Sequence, residues 1–161
     1  MCSSDLNVNA TGSFQLSSWG NYFIDTTAKF RDPSAWYHFV VQFDTTNSTA
    51  ADRRKLWVNG VEVATGGSAP TLNGDYGFNN NYKISIGSAL TSGGSANNFS
   101  DCYLTDYYFI DGQAKEATDF GAFDDNGVWQ AAAYSGTFGT NGFHLFDLDR
   151  KSTRLNSSHQ I

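Results

Sequence analysis

A glycosidic bond is hydrolysed between two carboxyl groups. They stand about 5–5.5 Å apart in retaining enzymes and about 6.5–9.5 Å apart in inverting ones. The chain's glutamates are Glu62 and Glu116, far apart in sequence and on different expected elements. Asp106, on the face of an expected strand, is the best single carboxylate, and it reads more simply as a hydrogen-bonded or edge group. His38 and His144 supply the base of a Ser/His/Asp arrangement, but no Gly-x-Ser-x-Gly turn presents a nucleophile. His38 reads as a packed histidine hydrogen-bonded through its ring nitrogens. The expectation is therefore a non-enzyme with no catalytic residue.

Binding chemistry is better supplied. Sugars are held by aromatic faces stacked on C–H groups and by amides or carboxylates that meet hydroxyls. Tyr76, Phe78, Asn80, Asn81 and Tyr82 bring those types together in one expected loop, and Trp57 adds a second platform if it points outward. Packing within the loop or core is the competing reading for each of these aromatics. Asn73, Asp75, Asn79, Asn80, Asn81, Asp124, Asp125 and Asn126 carry the oxygen donors of a hard cation. Residues 124–127 lack EF-hand spacing, and Asn and Asp also serve turns by tolerating left-handed backbone. No metal ligand is assigned.

The elements that must position these groups are short strands. Over residues 36–43, Tyr37, Phe39, Val41 and Phe43 share one face, and Trp36, His38, Val40 and Gln42 share the other. Both faces carry apolar residues, which predicts a central strand covered on both sides. Pro33 precedes it, where no ladder hydrogen bond is lost. Leu56-Trp57-Val58 and Val61-Glu62-Val63 flank Asn59-Gly60, the pair preferred where both turn residues need positive φ. Residues 83–87 read as a strand ending in a glycine turn, and residues 102–110 as a longer one with Leu104, Asp106, Tyr108 and Ile110 on one face. Phe14 with Leu16, and residues 22–25, are short candidates polar enough to predict an edge position or a damaged pairing. Residues 89–98 read as a mobile loop, and residues 113–125 hold one helical turn. Many short strands between Gly/Asn turns predict an all-β sandwich.

The order of these segments resembles the laminin-G-like, concanavalin A-like jelly-roll domains. The resemblance rests on Trp36 and His38 of the first strand, Leu56 to Val61 of the hairpin, and Ile84-Ser85-Ile86-Gly87. The string FRDPSAWYH, residues 30–38, is narrower and resembles a subgroup found in phage and environmental-virus structural proteins. Gly127, Trp129, Tyr134, Gly136 and residues 139–143 stand in that subgroup's order; Ala131-Ala132 departs from its usual Pro-Lys. The resemblance implies an antiparallel jelly-roll β-sandwich, truncated at both ends, with an exposed edge. It implies a virion module, tail- or fibre-associated, whose partners are a surface glycan or other virion proteins, and a homo-oligomer in the full-length protein. A lectin-like module of a secreted or surface bacterial protein is the alternative, with an extracellular or cell-surface location. Ca²⁺ is the cofactor such domains often hold.

Residues 1–6 and 149–161 resemble translated sequencing adapter, which leaves residues 7–148 as the domain fragment and predicts no core contact from either end. The 161-residue chain has a formal charge of −6. The ends carry Asp5 and Asp149 against Arg150, Lys151 and Arg154, so the fragment alone is one unit more acidic. An acidic domain without a basic stripe suits neither nucleic acid nor an anionic membrane.

Overall fold

The computed structural model describes residues 4–18, 20–80, 82–91 and 94–146. Among these residues there are strands and single 3₁₀ turns and no α-helix. The protein is all-β. Its largest sheet is five-stranded, built from β1 (Ser4–Val8), β2 (Phe14–Ser18), β3 (Asn21–Thr26), β7 (Thr65–Gly66) and β8 (Ile84–Ile86) in the order β7-β3-β2-β1-β8. A three-stranded sheet follows the order β4-β5-β6, from β4 (Phe39–Phe43), β5 (Arg54–Val58) and β6 (Val61–Glu62). Antiparallel pairs join β9 (Ala89–Leu90) to β10 (Ala96–Asn97), β11 (Tyr107–Phe109) to β14 (Phe143–Leu145), and β12 (Gly121–Phe123) to β13 (Trp129–Ala131).

The alternation along β4 is expressed as two cores. Phe39, Val41 and Phe43 pack toward Phe14, Leu16, Ile24 and Leu56, between the two larger sheets. Val40 faces the other way, into a cluster with Trp57, Ala117 and Phe120. Both faces are covered, as expected, but β4 is an edge strand and β5 is the middle one. The strand also begins later than expected. Trp36, Tyr37 and His38 lie outside the ladder, and Trp36 is 68% exposed. Asp32 Oδ1 accepts hydrogen bonds from the Ser34 amide and hydroxyl, which holds a turn at Pro33. The partner strand ends at Val58, where Asn59 (φ 48°) and Gly60 (φ 78°) make the expected turn. Asn59 then takes over, its Oδ1 accepting from the His38 amide at 2.8 Å.

Several expectations are corrected. Ser4, Asp5 and Leu6 do meet the core: they form β1, antiparallel to β2 and parallel to β8, so the sheet is mixed rather than the purely antiparallel one expected; Ser4 is fully buried, and Leu6 packs on the first cluster. Residues 149–161 lie outside the described residues. β2 and β3 are interior strands rather than edges, but their pairing is irregular, with a register shift between Leu16 and Ser17. Their polarity is satisfied within the sheet. The Ser18 hydroxyl accepts from Ser4 Oγ at 2.9 Å and from the Gly77 amide at 3.1 Å, and Thr26 Oγ1 accepts from the Phe14 amide at 3.0 Å. A buried hydroxyl so paired loses little, whereas an unpaired one costs about 1–3 kcal/mol. The expected strand at 102–110 shrinks to β11, because Asp106 adopts left-handed backbone with φ 51° and breaks the alternation. Residues 89–98 carry the β9–β10 pair. The helical turn in 113–125 is present as a 3₁₀ turn, Ala117–Asp119, in which Asp119 Oδ2 accepts from the Glu116 amide.

Candidate functional site

A cleft of about 700 Å³ runs along the outer edge of β4. One wall is Leu6, Val8, Leu16 and Ile86 of the five-stranded sheet; the other is residues 104–115; Tyr76 and Phe78 close one end. Gln42 Nε2 reaches across to donate to the Lys115 carbonyl at 3.3 Å.

The carboxylates that line this cleft are each engaged in holding a turn or loop. Asp44 Oδ1 accepts from the Thr46 amide and hydroxyl. Asp75 Oδ2 accepts from Asn80 Nδ2 at 3.2 Å. Asp111 Oδ2 accepts from the Asn141 amide and Nδ2. Asp106, the best catalytic candidate from the sequence, accepts from Thr105 Oγ1 and from His144 Nε2 at 3.1 Å. A carboxylate only accepts, so His144 carries its proton on Nε2 in this bond. His144 also stacks on Tyr108 and packs tilted against Phe146, at 4.0 and 3.9 Å between ring centres. Glu62 is exposed on β6 and Glu116 is exposed at the start of the 3₁₀ turn, so the two belong to separate elements. Tyr107 also lines the cleft, and burial pushes its phenol up to about 12, so it stays protonated near neutrality.

His38 is a packed histidine. Trp129 Nε1 donates to its Nδ1 at 3.0 Å, and the two rings stack 5.9 Å apart. Nδ1 must be unprotonated to accept, so the ring is neutral with its proton on Nε2. Burial lowers its pKa from the ordinary value near 6.5. The folded state therefore binds this proton less readily than the unfolded chain does. Its contribution to stability is complete above the unfolded value and is lost as pH falls below it, toward the folded value. The urea midpoint is expected to drop between about pH 7.5 and 5.5, and to drop less in His38→Gln, which keeps an acceptor but does not titrate. Equal drops in the two proteins would assign the pH dependence elsewhere.

The sugar-binding set does not assemble as expected. Trp57 is 8% exposed and sits in the second core cluster, so it offers no outward platform. The reason is its even-face neighbour: β4 puts Val40 opposite Trp57, and Ala117 and Phe120 cover both. Tyr76 packs edge-on to Phe23 and Phe43, at 4.7 and 5.6 Å, and its hydroxyl meets the Thr71 amide and Oγ1. Phe78 packs against Phe43 at 5.0 Å and against the first core cluster. Asn80 is exposed, and Tyr82 is 42% exposed. Asn81 lies outside the described residues. Trp129 is named from the sequence only for its place in the subgroup's order; its contacts are not foreseen there, and its indole caps both His38 and the Gly60 turn. A Cβ on Gly60 would run into that ring, and only the requirement for glycine in the turn hinted at close approach.

Among the described residues, no group of three or more His, Cys, Asp or Glu is placed to hold a metal ion. Also among them, no helix is long and apolar enough to cross a membrane. Comparison with protein-family models, with curated proteins and with solved structures returned no match.

Proposed function

We propose that this chain is a non-enzymatic jelly-roll module of a phage-like virion structural protein, and that its role is assembly with other virion proteins. The observation that carries the non-enzymatic part is the cleft's carboxylates. Asp44, Asp75, Asp106 and Asp111 each hold a turn, a loop or a histidine through hydrogen bonds within the chain. A hydrolytic pair would instead leave two carboxyl groups facing one another across space for a sugar and a water. The jelly-roll and virion parts rest on the resemblance of residues 30–38 and of the segments after them, and the all-β architecture is compatible with it.

Assembly is preferred to glycan adhesion because Trp57, Tyr76 and Phe78 are consumed by packing. The lectin-like alternative retains the exposed Tyr82 and Asn80. One experiment separates the two. A multimerised protein is expected to leave a glycan array blank, even though linked copies amplify weak sites of about millimolar affinity. Array binding that Tyr82→Ala abolishes without moving the melting temperature would favour the lectin-like module. The natural reading frame and its neighbours provide a second test. Capsid, portal or tail genes beside it are expected, and a cell-wall anchor in the same frame would contradict the virion reading.

A further inference from the structure

The pairing of β4 with β5 determines where β4's main-chain groups point. Asn59 N–H donates to the His38 carbonyl and Asp44 N–H donates to the Arg53 carbonyl, so the even residues of β4 face β5. Main-chain groups alternate along an antiparallel strand, so the N–H and C=O of Phe39, Val41 and Phe43 face the other way. That side is the cleft, and in the sheet order β4-β5-β6 no described strand stands there.

We propose that the β4 edge takes an extended segment of a partner polypeptide as an added strand. Such a segment presents the matching alternation of donors and acceptors, which a sugar does not. The cleft also specifies its side chains. Those pointing to the five-stranded sheet meet Leu6, Val8, Leu16 and Ile86, which calls for apolar residues at alternate positions. The lining side chains charged near neutrality are mostly acidic: Asp44, Asp75, Asp106 and Asp111 stand against Lys115, which is itself paired with Asp119 at 3.7 Å. Basic residues flanking the apolar core of the segment complement it. The proposal rests on the cleft being a binding surface rather than a catalytic one, and it names the kind of partner.

The test uses the intact chain and a displayed pool of linear peptides, each with seven randomised residues between lysine pairs. In the free protein, hydrogen exchange is expected to be slow at the Val40 and Gln42 amides and fast at Phe39, Val41 and Phe43. A peptide recovered from the pool should slow exchange at the latter three at least tenfold. The peptide is then made with N-methyl groups on its odd or on its even residues. One version should lose at least tenfold in affinity, and the other should stay within about twofold, because only one set of its N–H groups faces β4. Val41→Pro removes an outward N–H without touching the β4–β5 ladder and should also lose at least tenfold. Should that variant fail to fold, the N-methyl pair still decides. Amides of Phe39, Val41 and Phe43 already protected in the free protein would mean that the chain or a second copy fills the edge, and would overturn the proposal. So would an empty selection, or equal losses from both N-methyl sets. Turnover of a polysaccharide would instead overturn the non-enzymatic reading beneath it.

Discussion

Trp57→Ala is expected to lower the free energy of unfolding by about 3–5 kcal/mol, the range for truncating a large buried aromatic. Trp57 lies in the second core with Val40, Ala117 and Phe120, and Trp129 and Tyr134 pack around it. Alanine would leave a cavity between β5 and the 3₁₀ turn that packs on it. Chemical denaturation of the variant measures this directly. A sugar-stacking tryptophan behaves differently: its removal would leave stability within the roughly ±0.5 kcal/mol of an ordinary surface change and abolish ligand binding. The outcome therefore decides between a structural and a ligand role for the residue.

Deleting residues 1–6 is expected to cost about 3 kcal/mol or more, comparable to losing a buried leucine together with its strand pairing. Ser4, Asp5 and Leu6 pair with β2 on one side and with β8 on the other. Asp5 accepts from the Leu90 amide at 3.0 Å and from Ser17 Oγ at 3.4 Å, and Ser4 is hydrogen-bonded to Ser18 in the sheet. Removal would uncover the edges of β2 and β8 and leave Ser18 with one partner fewer. An unchanged melting temperature would mean that this pairing is dispensable and would restore the expectation that the segment stands apart from the core.

The parts of the fold legible in the sequence are those specified by local rules. Alternation assigned Phe39, Val41 and Phe43 to one face and Val40 to the other, and the two clusters divide them in that way. Asn59-Gly60 specified its turn because few other residue pairs adopt positive φ twice in succession. What escaped is what depends on distant chain. Alternation places Trp57 opposite Leu56 and Val58, but whether that second face meets solvent or protein depends on Ala117, Phe120 and Trp129. The serines of β2 looked like edge residues because their hydroxyl partners, Ser4 and Gly77, lie on other elements. Asp106 belongs to a residue type that tolerates left-handed backbone, but many Asp residues do and nothing local singles this one out to end the alternation; its bond to His144 forms only when β11 and β14 come together. The candidate site followed the same division. Residue types suggested a sugar loop, and the three-dimensional packing of Tyr76 and Phe78 on Phe23 and Phe43 removed most of it.

The claim that the cleft carboxylates hold structure rather than perform catalysis is tested most directly by turnover. Purified protein incubated with β-glucan, chitin and peptidoglycan is expected to release no reducing ends beyond those from a heat-denatured sample. Release that disappears in Asp106→Asn or in Glu62→Gln, with the variant still folded, would contradict it.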